Sequence, residues 1–323
     1  MFGPGIRRFT STNINFVSVV TNLQALRIYR TGVYVVTRIM DAEDILFDSL
    51  QTLYDYQPIT LTTQGSLFTY TSTTSTSNPK DPISITLRTP DTQTSNWSLH
   101  ANSIWVSSIY LADHIDDLNL DFHINNFKSD SSQVEETRKI RVLELGASAG
   151  LPGILVAKLF PTSTLVTVTD YPDDKLIETL KINVQSNHVA DHCKVLPFAW
   201  GSDPTVVLGN SKGFDVVIAA DTLWNPELHP IFIDSLKSTL KKSSTSRIHL
   251  VAGLHTGRYT IQAFLTQIER NSGLHIESIS EREVTGFSTR LWDVLRSGED
   301  ERERRRWIIW MTLAWEKSMI DLE

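Results

Sequence analysis

The stretch that decides the reading is "RKIRVLELGASAGLPGILVAKLF", residues 138–160. An apolar run reaches an acid, Glu144, then passes into small residues and resumes with helical spacing from Leu151. Small residues between a buried strand and a helix let something approach the backbone. The free N–H groups at a helix start favour an anionic ligand there.

Outward from this turn, strand and helix patterns alternate. "KIRVLELGA", "STLVTVTDY", "CKVLPFAWG", "FDVVIAADTLW" and "SRIHLVAGLH" read as strands, with helices such as "DDKLIETLKINVQSN" and "YTIQAFLTQIERNSG" among them. Near-continuous apolar strands alternating with helices predict a parallel sheet covered on both faces. "LHIESISEREV" and "WIIWMTLAWEK" have no helical pattern between them, so they should pair antiparallel. The fold class is therefore α/β: a Rossmann-like, seven-stranded, mostly parallel sheet with an antiparallel last strand, over residues 138–323. The charged run "EDERERRR" before the last strand reads as a solvated loop.

Residues 40–137 read as an N-terminal arm, a hairpin, a helix and a linker. "DAEDILFDSLQTLYDYQ", 41–57, has the pattern of an amphipathic helix. "SLFTYTS" and "ISITLRT" alternate as strands of a β-hairpin around a polar loop with two prolines. Ser103 is placed to cap a helix carrying Ile104, Trp105, Ile109, Ala112 and Ile115, and residues 121–138 read as a polar linker. Residues 1–39 hold five arginines and no acid, which suits either a mitochondrial presequence or an incidental extension ahead of an alternative start at Met40.

Composition excludes several classes. The net charge of −7 argues against a nucleic-acid partner, and no apolar run reaches the roughly 20 residues of a membrane helix. A single cysteine, Cys193, permits no internal disulfide and fits a reducing, cytoplasmic setting, with a mitochondrial one if residues 1–39 are a presequence. Without zinc-like Cys/His spacing, no metal is expected.

In open α/β sheets ligands bind beyond the carboxyl ends of the strands. The turn from Gly146 lies there, and Asp170 ends the next strand, where an acid can accept both hydroxyls of a ribose. Two cofactor classes match: a dinucleotide and S-adenosylmethionine. The dinucleotide pattern G-x-G-x-x-G fails at Ser148 and Leu151. The pattern E/D-x-G-x-G-x-G is met by Glu144, Gly146 and Gly150, with Ser148 in place of the middle glycine. If position 148 requires a positive φ, serine there adds strain of about 1 kcal/mol.

Taken in order, "ANSIWVSSIYLADHI", "VLELGASAGLPG", "VTDYPD", "FAWG" and "FDVVIAADTLWNPE" resemble the class I, seven-β-strand methyltransferases and, within them, the protein lysine methyltransferases. The nearest likeness is to the fungal branch that methylates the N-terminus and adjacent lysine of translation elongation factor 1-alpha. The resemblance covers about residues 60–317. It implies S-adenosylmethionine as cofactor, a protein amine as acceptor, with elongation factor 1-alpha as the implied partner, and a monomer. It implies that Trp105 closes the methionine end, that Glu144, Gly146, Ala147 and Ser148 form the cofactor turn, and that Asp170 holds the ribose. Trp200 would lie beside the adenine and Ala220 would touch the cofactor from the fourth strand. The family's acid-x-x-Tyr/Phe motif here reads Asp221-Thr222-Leu223-Trp224. Asp221 would orient the amine and Trp224 would wall its channel. His255 and Tyr259, after the fifth strand, face the same end of the sheet. A small-molecule N-methyltransferase acting on a nicotinamide-like amine and a non-catalytic cofactor-binding scaffold stand as alternatives.

Overall fold

Five parallel strands grow in two directions from the one carrying the glycine turn. The computed structural model describes residues 24–29, 32–37, 58–72, 82–129, 139–271 and 273–320. The arm expected over 41–57 lies outside them, as do residues 1–23. β1 (Gln24–Tyr29), β2 (Gly32–Thr37), β3 (Leu67–Ser72) and β4 (Ile83–Arg88) form an antiparallel sheet in that order. The hairpin expected over β3 and β4 is thus the outer part of a four-stranded sheet. α1 (Val106–Asp113) and α2 (Leu120–Ser129) follow.

The main sheet contains β5 (Ile140–Leu145), β6 (Thr164–Asp170), β7 (Cys193–Pro197), β8 (Val216–Ala220), β9 (Arg247–Gly253), β10 (Leu274–Glu283), β11 (Thr289–Arg290) and β12 (Trp307–Trp315). Their order is β11-β10-β12-β9-β8-β5-β6-β7. β7, β6, β5, β8 and β9 are parallel, while β12 runs antiparallel to both β9 and β10. Chain order reverses between β5 and β8, which is the switch point where α/β sheets open a crevice.

Alternate strand residues feed two cores. Val142, Ile218 and Val251 face α1, the helix α3 (Leu151–Leu159) and the hairpin residues Phe68 and Ile85. Leu143, Val217 and Leu250 face α5 (His229–Thr239) and α6 (Arg258–Asn271) through Phe232 and Phe264.

The structure corrects several expectations. Ser103 does not cap α1: Trp105 occupies the N-cap position and no side chain caps the helix. The polar stretch expected as a linker over 121–138 is helical as far as Ser129, because Leu120 and Ile124, one turn apart, bury one face. The charged insertion is not simply solvated and contributes the two-residue β11. Arg258 Nη1 meets Glu281 Oε1 at 2.6 Å, Arg258 Nε meets Glu299 Oε2 at 2.8 Å and Arg290 Nε meets Glu281 Oε2 at 2.7 Å. Glu281 is fully buried. Charges that look solvated in sequence are here partly paired, and the two buried acids, Glu281 and Glu299, each meet an arginine, as their desolvation demands.

The small sheet is fastened to the large one by two asparagines on α4 (Asp174–Ser186) and at its end. Asn183 accepts from the Arg88 N–H at 2.8 Å and donates to the Arg88 carbonyl at 2.9 Å. Asn187 pairs with Thr86 in the same way at 3.1 and 2.8 Å. These amides satisfy the outer edge of β4, which would otherwise be open for pairing. Asn183 also donates to the Ala149 carbonyl inside the glycine turn at 2.9 Å. Asn183→Ala is expected to lower unfolding stability by about 2 kcal/mol, because it orphans buried backbone groups. Urea denaturation measures this, and a change under about 0.5 kcal/mol, the usual range for surface substitutions, would contradict it.

Candidate active site

The turn after β5 holds three residues at positive φ: Gly146 at 68°, Ser148 at 49° and Gly150 at 84°. At Gly146 a Cβ would lie 3.0 Å from Thr222 Cγ2 and 3.4 Å from Trp200 Cζ2, so the turn runs close under both residues. Ser148 bears the left-handed strain anticipated for it, about 1 kcal/mol. It also gains a partner, because its Oγ donates to the Ala101 carbonyl at 2.7 Å and lies 3.3 Å from the Ser103 carbonyl. The serine therefore ties the segment ahead of α1 onto the turn.

Asp170 closes the turn from the neighbouring strand. Its Oδ2 accepts the Ser148 N–H at 2.6 Å and its Oδ1 accepts the Tyr171 N–H at 2.7 Å. Burial nevertheless pushes its carboxyl up to about 6. Asp173 caps α4, accepting from the Lys175 and Leu176 N–H groups. Asp173 Oδ2 also holds the Gln93 N–H at 3.0 Å and Asn96 Nδ2 at 2.7 Å.

Asp170, Gly146, Ser148, Trp105, Trp200, Ala220, Asp221 and Trp224 line one cleft, together with His100, Tyr171, Thr222 and Ile231. Glu144 and Ala147 do not line it. They border a smaller pocket behind the turn, which Trp105, Gly146, Ser148 and Ala220 share with the cleft. Glu144 is buried, accepts the Gly153 N–H at 2.9 Å and is pushed up to about 8 by burial. A Cβ on Gly153 would sit 2.5 Å from Glu144 Oε2, so only glycine lets helix and acid approach this closely. The Ala147 N–H is spent on the Thr169 carbonyl at 2.9 Å.

In the wall of the cleft Trp200 packs against Phe232, with ring centroids 4.4 Å apart. Asp221 adopts φ 54° and its N–H donates to the Val251 carbonyl at 2.8 Å. Its Oδ1 accepts the Gly253 N–H at 2.8 Å, while Oδ2 is buried without a hydrogen-bond partner among the described residues. Trp224 meets His100 edge-on at 4.9 Å, His100 meets Trp105 edge-on at 6.2 Å, and Trp105 stacks on His255 at 5.6 Å. The loop carrying Trp224 is steadied by the buried His229, whose Nε2 lies 3.0 Å from the Leu223 carbonyl. Tyr259 stays 74 % exposed and lines neither pocket. His100, Tyr171, Thr222 and Ile231 are cleft residues that the sequence reading did not single out. Their chain neighbours Ala101, Asp170 and Asp221 stood in the motifs, but nothing local marks the side chains themselves.

A family model described as lysine methyltransferase matches residues 87–271. The chain belongs to the lysine methyltransferase family. Among curated proteins it is similar to a protein N-terminal and lysine N-methyltransferase of Schizosaccharomyces pombe, 29 % identical over 214 residues, covering 64 % of this chain and 76 % of that one. A protein of the same name in Gibberella zeae is 30 % identical over 175 residues, covering 49 % of this chain and 64 % of the relative. Among solved structures, a SAM dependent methyltransferase from Aquifex aeolicus overlaps 55 % of this chain and 84 % of its own, with TM-score 0.38 and 13 % identity. At that level the strand order, and not the superposition, carries the fold.

The strain account at position 148 separates two substitutions. Ser148→Gly relieves the left-handed strain while losing the bond to Ala101, so its stability should stay within about 0.5 kcal/mol of the parent. Ser148→Ala loses the bond and keeps the strain, and should cost about 1–2 kcal/mol. Equal denaturation midpoints for the two variants would contradict the account.

Proposed function

We propose that this chain is an S-adenosylmethionine-dependent N-methyltransferase that acts on a protein amine. The observation that carries the reading is the buried, unpartnered Asp221 Oδ2, in the same aromatic-walled cleft as the Asp170–Ser148 turn. A buried carboxylate oxygen without a donor is costly unless a ligand supplies one. An ammonium supplies three.

The residues present fit the cofactor. Asp170 offers carboxylate oxygens to a vicinal diol, Gly146 leaves room for close approach, and Trp200 offers an aromatic face to a base. Trp105, Ser148 and Ala220 would border its amino-acid end. The cofactor supplies a methyl group already activated by a sulfonium. The protein has to align an amine with that methyl and exclude competing groups, and positioning of this kind removes several kcal/mol of barrier. Asp221 would accept a hydrogen bond from the amine and fix its direction. Trp224, His100 and Trp105 would wall the channel, and an indole face attracts a cationic amine by about 0.5–2 kcal/mol.

Family membership and the names of the fungal relatives favour a protein amine over a small molecule. Translation elongation factor 1-alpha, implied by the resemblance, is the first acceptor to test, with nicotinamide as the small-molecule control. Asp221→Asn should reduce methyl transfer at least about a hundredfold while leaving S-adenosylhomocysteine affinity within twofold. Unchanged turnover would overturn the assignment.

The raised carboxyl of Asp170 gives a second outcome. Above about pH 6 it is ionised and accepts both hydroxyls, and below it the bound proton removes an acceptor. S-adenosylhomocysteine affinity should therefore fall about fourfold from pH 7.5 to 5.5, as proton linkage requires when only the ionised form binds. Calorimetry at both values measures it, and a pH-independent affinity would contradict the ribose role.

A further inference from the structure

We propose that His100 is the catalytic residue that takes the proton from the incoming ammonium. The inference rests on the reading of the cleft as an amine methylation site. A lysine amine has a reference pKa of about 10.4, so at neutral pH it arrives protonated and without a free electron pair. Asp221 cannot solve this alone, because a carboxylate beside an ammonium favours the charged form. A base within the cleft would take the proton faster than bulk water at neutral pH.

The titratable groups lining the cleft are Asp170, Tyr171, Asp221 and His100. Asp170 is engaged by two backbone N–H groups at the turn, and Tyr171 follows it there. His100 is the one at the Trp224 end whose neutral form can accept a proton. Its ring stands edge-on to Trp224 and to Trp105, at interplanar angles of 90° and 89°. Neither ring nitrogen has a hydrogen-bond partner among the described residues, and the side chain is exposed, which leaves a path from the imidazole to water.

The backbone at His100 is held on both sides. His100 sits at φ 54°, a left-handed conformation that favours glycine or asparagine, at the end of the short helix Thr94–Leu99. Both of its backbone groups are held: its N–H donates to the Trp97 carbonyl at 3.1 Å, and its carbonyl accepts the Trp105 indole N–H at 2.9 Å. The chain thus bears strain at a position where glycine would relieve it, and the side chain so placed borders the amine channel. In the step itself one N–H bond of the ammonium breaks and its electron pair stays on nitrogen. The proton goes to an imidazole nitrogen and from there to water.

A purely structural His100, ending the short helix and shaping the wall, is served equally well by asparagine, which tolerates the left-handed region. The test is single-turnover methylation of the protein acceptor by wild type, His100→Asn and His100→Gly from pH 7 to 9.5, with S-adenosylhomocysteine affinity as the folding control. The other titratable groups lining the cleft are Asp170, Tyr171 and Asp221, with His255 stacked on Trp105, and all four remain in each variant. Both variants should lose about a hundredfold in rate at pH 7, the scale of general-base catalysis, with cofactor affinity and acceptor KM within twofold. The deficit should shrink as rising pH deprotonates the amine directly, and free imidazole should restore at least tenfold to His100→Gly. Wild-type rates in His100→Asn, or a deficit that neither pH nor imidazole moves, would overturn the proposal. Wild type that binds the cofactor and methylates no amine would overturn the functional reading instead.

Discussion

The hydrogen bond from the Ser148 N–H to Asp170 Oδ2, at 2.6 Å, joins the ends of the adjacent parallel strands β5 and β6, beside the switch point of the sheet. Everything at the site is placed relative to it. It holds the turn after β5 in a conformation with three positive φ values, and it buries a carboxylate at the mouth of the cleft. Behind the turn Glu144 grips the first turn of α3 through the Gly153 N–H, which ties strand, turn and helix together. Two buried acids with raised proton affinity, one on each side of a glycine-rich turn, oppose stability in themselves. That such groups persist at a crevice is what a binding site built on fixed backbone donors looks like.

The cleft is only half made by the sheet. Its outer wall, from Leu99 to Trp105, comes from chain preceding β5. Three independent ties carry that wall into place: Ser148 Oγ to the Ala101 carbonyl, Asp173 to Gln93 and Asn96, and the two asparagines that grip β4. The serine that departs from the glycine pattern is therefore accounted for by what it holds. The segment that follows the small sheet, from Leu99 to Trp105, also completes the cleft that Asp221 lines.

The parallel sheet was legible because buried strands leave near-continuous apolar runs, and its antiparallel end because no helical pattern separates the last two long strands. Gly146, Asp170 and Asp221 were legible because strand ends bordering a switch point are where ligands bind. What escaped were features set by tertiary context. A helix over Leu120–Ser129 looked like linker because its sequence is polar on most faces. The charge run looked solvated because Arg258 and Glu283, which pair with its Glu299 and Arg306, lie on other elements. His100 was silent because nothing in a sequence marks a histidine held at positive φ between two tryptophans. Ala147 and Glu144 kept their places in the motif but face away from the main cleft, a distinction of side and depth that spacing cannot express.

The central claim is that Asp170 and the turn it holds form the cofactor site. Titration calorimetry of S-adenosylhomocysteine into the wild-type protein and into Asp170→Ala tests it most directly. The account predicts micromolar binding to wild type and its loss in a variant that remains folded. Equal affinity for the two proteins, or no binding by folded wild type, would contradict it.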